Sequence, residues 1–399
     1  MRAKLRPVPP QADDLGRPFA PDPRPRRFDF EVPASGYAWW YLDVLDTRRG
    51  LGLTAIFFVG SVFSARYYRA RAEFLAGAGP PPDPERYCAV NIALYQSGRG
   101  GWSGSDPRPG ARLLPRPRLL PRPRHTRAWA LSEHADFTRG SDQFRVGRST
   151  IAWTHDARGP LLQVHIDERE PFLGRRPLLH KTIVGTIRLR PTAIFAPRIE
   201  LDPWAQRPRH RWYPVAPHAH AEVEFSEPGL RFEGSAYHDV NEGEEGLEAG
   251  FQSWNWSRTE LSATGRTAVS YDVVDPRGRT HARGWRFDAA AQARSESDPK
   301  MPRASETSEA IQTISTDELG REIALPRARW GMRRAIRCAQ GQTPALVETL
   351  EDAPFYTRNL IRVGADPQAH LTVHESIDLR RFCSRRTQFL LPFKIRRQG

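Results

Sequence analysis

Cysteine is scarce in this chain and poorly spaced for chemistry: Cys88, Cys338 and Cys383 are three residues in 399, far apart and without a C-x-x-C pair. They read as small buried or incidental thiols of a reducing compartment, not as a disulfide framework. Methionine is equally rare, at three, and long Ala-Leu-Glu-Lys stretches are missing, which argues against a helical bundle. No long hydrophobic run exists either. The most apolar stretch, Leu51 to Phe63, falls short of the roughly 20 residues that a spanning helix needs. The opening residues MRAKLRPVPPQADDLGRP contain no apolar stretch of the secretory type, so no signal peptide is expected and the protein reads as soluble or peripheral. GxGxxG, Walker, HExxH, GxSxG and EF-hand patterns are all lacking. Dinucleotide, metalloprotease and hydrolase-elbow readings therefore have no support.

What the chain has in quantity is turn residues and aromatic rings. The 36 prolines and 30 glycines predict many short elements, since both residues are poor inside helices and useful between strands. Eleven Trp, 19 Phe and 10 Tyr, within a hydrophobic content of 39%, suffice for sizeable cores, and the length suggests two domains. The formal charge is +14 and mostly arginine. Such a field suits an anionic partner without choosing among nucleic acid, membrane and acidic protein. No recognition helix, zinc-finger spacing or RNA-binding signature accompanies it, so nucleic acid is not expected.

Residues 1–27 are rich in Pro, Arg and Asp without periodicity and read as a mobile leader. Period-2 alternation then predicts strands at Tyr37 to Asp43, Leu51 to Val62, Tyr87 to Tyr95, Leu161 to Asp167, Thr182 to Leu189, Glu222 to Phe225, Leu230 to Asp239, Thr267 to Val274, Ile311 to Ile314 and Leu371 to Ile377. Ser64 to Ala76 is the one helix candidate. Residues 105–126 carry a tandem LLPRPR. Proline at every second position forbids a helix or central strand, so this is an exposed basic insertion: an arm for an acidic membrane, or a loop of no consequence. The fold class is all-β, as sandwiches or barrels.

Candidate chemistry is sparse. His218-Ala219-His220-Ala221-Glu222 sets three metal-type side chains on one strand face, a pattern that a solvated edge strand also produces. In FEGSAYHD, Phe232 to Asp239, a strand would put Tyr237 and Asp239 on one side and His238 on the other. That pairs a phenol with a carboxyl, although an Asp opening a turn before Asn241-Glu242-Gly243 is the plainer reading. Trp254 and Trp256 share a face, with Trp212-Tyr213 upstream; such rings are core or a wall that stabilises a passing cation. Tyr41 with Asp43, His165 with Asp167, and His374-Glu375 fit structure or catalysis equally well.

Five segments in series resemble carotenoid 1,2-hydratases, the hydroxyneurosporene synthases: FVGSVFS (58–64), NIALY (91–95), the Tyr-x-Asp-x-Asn-x-Gly run at 237–243, FQSWNWSR (251–258), and VHESIDLRRF with LLPF (373–382, 390–393). The likeness spans about residues 28–395. It implies two consecutive lipocalin-like antiparallel β-barrel domains, 28–240 and 241–395, and a cofactor-free hydro-lyase. The implied reaction adds water to the terminal 1,2 double bond of acyclic carotenoids such as neurosporene or lycopene. Asp239 is then the acid/base, with Tyr237 and Trp212 beside it as catalytic residues. Trp254, Trp256 and His238 are expected to bind substrate, and neither cofactor nor metal is implied. The implied setting is cytoplasmic, peripheral to an anionic inner membrane that holds the substrate. The LLPRPR insertion departs from the family pattern. A non-catalytic carotenoid or lipid carrier and an isomerase or cyclase of the same fold are the competing readings.

Overall fold

The computed structural model describes residues 27–98, 101–102, 126–171, 181–262, 265–297, 310–364 and 370–398. The leader, but for Arg27, and the LLPRPR insertion, but for Thr126, lie outside them. The strands in chain order are β1 (Tyr37–Asp46), β2 (Leu51–Val59), β3 (Ala89–Gln96), β4 (Thr126–His134), β5 (Phe137–Arg139), β6 (Gln143–Val146), β7 (Ser149–Asp156), β8 (Gly159–Arg169), β9 (Thr182–Pro191), β10 (Ile199–Glu200), β11 (His210–Glu227) and β12 (Leu230–Gly243). There follow β13 (Ser253–Ser262), β14 (Arg266–Val274), β15 (Thr280–Asp288), β16 (Ile311–Ile314), β17 (Arg321–Ala324), β18 (Ala335–Cys338), β19 (Pro344–Asp352), β20 (Tyr356–Val363), β21 (Leu371–Asp378) and β22 (Arg396–Gln398).

The first twelve strands, joined by β22, make a 13-stranded sheet in the order β22-β4-β3-β2-β1-β12-β11-β9-β8-β7-β6-β5, with β10 against β11. A second sheet of seven strands runs β16-β15-β14-β13-β21-β20-β19. Both curl into half-barrels, as the all-β expectation required. In the first, β8 lies across the interior from β3 and β4. Its inward side chains, among them Trp40, Leu42, Phe57, Ile92 and Val164, form one core. Strand β12 continues past Val240 to Gly243, so the expected boundary at 240/241 falls inside a strand. The sheets part between Gly243 and Ser253.

Antiparallel sheets commonly keep one face wet. Here β1 and β2 are buried along nearly their whole length, and β12 is buried from Ala236 to Gly243. The reason is sequence: both alternating faces are apolar or aromatic in YAWWYLDVL and LGLTAIFFV, with Asp43 and Thr54 the polar exceptions. The outward rings, Tyr37, Trp39, Tyr41 and Phe58, pack with Trp254, Trp256, Tyr271 and Trp285 of the second sheet in a second core. The β1–β2–β12 wall thus divides two cores.

The predicted helix is α1 (Ala65–Leu75), capped by the Ser64 hydroxyl, which accepts from the Tyr67 N–H. Its buried Arg71 donates to Glu248 at 2.8 Å, and Tyr67 donates its hydroxyl to the Gly36 carbonyl at 2.6 Å. These bonds clamp the helix over the end of the wall. Three more helical pieces matter below: α2 (Leu247–Gly250), α3 (Leu379–Phe382) and α4 (Arg385–Leu390).

Candidate active site

Strand β12 presents Tyr237, Asp239, Asn241 and Gly243 to the second core by simple alternation, and each has a distinct environment. Asp239 is nearly inaccessible, at 3% exposure. Its Oδ2 accepts from the Tyr237 hydroxyl at 2.7 Å and from the Trp212 indole Nε1 at 2.8 Å. Its Oδ1 is buried and has no hydrogen-bond partner among the described residues. Asn241 Nδ2 reaches the Tyr271 hydroxyl at 3.4 Å. Gly243 sits where any Cβ would lie 2.3 Å from the Tyr37 ring and 2.9 Å from His210 Nδ1. The glycine that ends the run is therefore fixed by steric room.

Burial pushes the Asp239 carboxyl up to about 8; the Tyr237 and Trp212 bonds oppose this, and the negative charges of Glu375 and Asp43 add to it. At neutral pH it is thus a carboxylic acid. Burial, with Asp239 nearby, also holds the Tyr237 hydroxyl far above its ordinary value, so that hydroxyl remains a donor. With both donors on Oδ2, the acid proton belongs on Oδ1.

Aromatic rings enclose the group. Trp256 lies 5.4 Å from Tyr237 and 5.7 Å from Tyr41 between centroids. Trp212 lies 5.1 Å from both Tyr271 and Trp285. Trp254 stands one ring further out, 6.1 Å from Tyr271 and 6.2 Å from Trp39. The structure therefore joins Asp239, Tyr237 and Trp212 by hydrogen bonds and sets Trp256 and then Trp254 around them. His238 is directed elsewhere. Its Nδ1–H donates to the Tyr41 carbonyl at 2.8 Å, and its ring lies 5.8 Å from Trp153 in the first core. Burial drives it down to about 4, which makes it a neutral imidazole. A residue at the odd position of the strand cannot join its neighbours' face.

Alternation from Trp254 and Trp256 extends one step further, to Arg258, which the sequence reading passed over. It is buried and donates from Nε to Asp43 Oδ2 at 3.0 Å, while its Nη2 bonds Asp43 Oδ1. Asp43 also accepts from Tyr41 at 2.7 Å, and Tyr41 faces Asp239 in the β1–β12 register. Glu375 pairs with the buried Arg358 at 2.6 Å. Two of the three pairs that fit structure or catalysis equally well thus border the site, through Tyr41, Asp43 and Glu375. His374 turns away to the Ala335 carbonyl at 2.8 Å, and Asp167 pairs with the exposed Arg148 at 2.7 Å. His218 meets Thr192 at 2.8 Å and Glu260 at 3.4 Å, and the next two polar positions, His220 and Glu222, are exposed. Among the described residues no three His, Cys, Asp or Glu side chains are grouped to hold a metal ion.

Fold and site together define a β protein of two large sheets, with a two-stranded ribbon of β17 and β18 beside them, and a buried carboxylic acid enclosed by aromatic rings between the large sheets. Comparison with known proteins gives it a family. The model of the carotenoid hydratase CrtC family matches residues 124–399. The acyclic carotenoid 1,2-hydratase of Thiocapsa roseopersicina is 32% identical over 389 residues, 96% of this chain and 79% of that protein. That of Rubrivivax gelatinosus is 34% identical over 379 residues, 94% and 76% respectively. Among solved structures, kievitone hydratase of Nectria haematococca is similar with a TM-score of 0.41 and 9% identity, over 90% of this chain and 98% of that one. The chain belongs to the carotenoid hydratase CrtC family and is by class a hydro-lyase.

Proposed function

We propose that this protein adds water across the terminal 1,2 double bond of an acyclic carotenoid, such as neurosporene or lycopene, with Asp239 as the proton donor. The observation that carries this reading is the division of labour on one carboxyl. Oδ2 is held by two donors, while Oδ1 is buried, without a hydrogen-bond partner among the described residues, and the natural seat of the proton.

The chemistry follows in balanced steps. Asp239 delivers its proton to C2 of the alkene and the π pair forms the new C–H bond. C1 is left as a tertiary cation and Asp239 as a carboxylate. The Tyr237 and Trp212 bonds strengthen as that charge appears, so they favour the transition state over the ground state. The π-faces of Trp256, Trp212 and Tyr271 offset the positive charge on carbon. Water attacks C1, and the proton it sheds returns to the carboxylate, which restores the acid. Every step uses only side chains of this protein, substrate and water. A polyene of this kind resides in lipid, so the working location is the cytoplasmic surface of an anionic membrane. Among the described residues no helix is long and apolar enough to cross one.

Incubating the purified protein with lycopene should give a product heavier by one water, and Asp239→Asn should give none while keeping the far-ultraviolet circular dichroism spectrum. Turnover by Asp239→Asn would overturn the role of Asp239. Tight binding of lycopene without any hydrated product would leave a carrier.

A further inference from the structure

Among the described residues four large apolar side chains stand exposed, and all occur on two adjoining helical segments: Phe74 and Leu75 end α1, at 37% and 80% exposure, and Phe389 and Phe393 follow α3, at 70% and 48%. The segments meet where Tyr68 of α1 packs edge-on against Phe382 of α3, 5.5 Å between centroids. Residues 379–398 include seven Arg or Lys and no Asp or Glu. The segment is firmly seated. Arg381 donates to the carbonyls of Pro354 and Trp330, each at 2.6 Å, Gln388 donates to the Phe382 carbonyl at 2.8 Å, and Thr387 and Leu391 face inward. On the opposite side Arg385, Phe389 and Phe393 follow one another at four-residue spacing, with Arg386 alongside. The two phenyl rings touch each other at 5.5 Å.

We infer that this α1–α3–α4 surface docks on a bilayer containing anionic lipid, and that the polyene enters the protein from this side. Exposed aromatics interleaved with cations, without any acid to answer them within the segment, are what a lipid interface selects. The rings settle at the level of the headgroups and the guanidinium groups meet phosphate. A continuous line of packed aromatic rings runs inward from this surface to the site, and the proposed entry follows it. Phe382 touches Phe355 at 5.1 Å, Phe355 touches Phe63 at 5.8 Å, and Phe63 touches Phe58 at 5.8 Å. Phe58 then meets Trp39 at 6.3 Å, and Trp39 meets Trp254, whose neighbour Tyr271 packs on Trp212, the donor to Asp239. The entry route rests on the proposed substrate; the docking surface does not.

The test uses the full-length protein and extruded vesicles, either of phosphatidylcholine alone or with phosphatidylglycerol, in a sedimentation assay. Wild type should pellet with the anionic vesicles only. Arg385→Ser/Arg386→Ser should weaken binding by about thirtyfold, since each cation near such a surface contributes roughly a factor of five. Phe389→Ser/Phe393→Ser should weaken it by about tenfold or more. Both variants should lose hydration of vesicle-borne lycopene while retaining it on detergent-dispersed lycopene, which also reports that they are folded. Unchanged vesicle binding in both variants overturns the docking surface. So does a wild type that ignores vesicles and is instead a dimer that Phe389→Ser/Phe393→Ser converts to monomer, because the patch would then face a second copy. Vesicle binding that depends on these residues, without hydration by wild type in detergent, would leave docking intact and remove the proposed reaction.

Discussion

Replacing Tyr237 by phenylalanine removes one of the two hydrogen bonds on Asp239 Oδ2 and keeps the ring that packs on Trp256. The bond is 2.7 Å long between buried groups, and a hydrogen bond to a charged group contributes about 1.5–3 kcal/mol. It favours carboxylate over acid, so its loss tightens the hold on the proton. At about 1.4 kcal/mol for each pH unit, a carboxyl held at about 8 in the intact site moves to roughly 9–10. The acid form is the reactive one. Wild-type hydration should therefore be full below about pH 7 and decline as pH rises through 8, while the variant declines later. Its plateau should be lower, by up to about a hundredfold, because the carboxylate formed on proton transfer has lost a donor. Initial rates of hydrated product from detergent-dispersed lycopene, taken from acid to alkaline pH, read both quantities at once. Trp212→Phe should do the same. A descending limb that stays in place or moves to lower pH in both variants refutes the assignment of Asp239 as the titrating acid.

Other perturbations test the surroundings. In the unfolded chain Asp239 loses its proton near 3.8, whereas in the fold it keeps it to about 8; across that window the folded state binds the extra proton and stability falls as pH rises. Asp239→Asn should thus gain Tm relative to wild type between pH 5 and 8.5, and a constant difference would contradict burial as the cause. For His238 the sign is opposite: the unfolded chain takes the proton first, near 6.5, and the fold resists it to about 4, so stability falls as pH drops through that interval. His238→Asn should flatten that loss in urea unfolding while hydration at neutral pH persists; an inactive but folded variant would mean that the imidazole reaches the substrate. Arg258→Met leaves the Asp43 carboxylate buried without its guanidinium, which should cost about 3–5 kcal/mol in urea unfolding. Adding Asp43→Asn should restore part of it, and a loss below about 1 kcal/mol would show the pair to be solvated.

Much of this arrangement was legible because strand alternation is a strict rule. It set Tyr237 and Asp239 together, turned His238 away, and paired Trp254 with Trp256. It was silent on what lay opposite. Trp212 donates across 27 sequence positions; the residues alone offered it as one ring of an aromatic wall, and only the family resemblance set it beside Asp239. Its strand was hard to see, because Pro214 and Pro217 interrupt HRWYPVAPHAH, and prolines argue against a central strand. They are accommodated where the β11–β12 register shifts, between Tyr213 and Ala216 and again between Ala216 and Ala219. Arg258 could have been found, since a cation two positions beyond Trp256 on a buried face demands a carboxylate; that the partner is Asp43, 215 positions away, only the fold reveals. Strands β19 and β20 were missed because their charged positions, Glu351 and Arg358, point inward and break the apolar pattern.

The dividing wall has a consequence for how this protein could be taken apart. A residue range ending at Gly243 would retain every strand of the first sheet but β22, yet it would present Tyr37, Trp39, Tyr41 and Phe58 to water as a bare aromatic face. Such a face invites aggregation. The two half-barrels therefore act as lid and vessel to each other, and expressing either alone should yield insoluble material, with soluble protein regained when both are produced together in one cell.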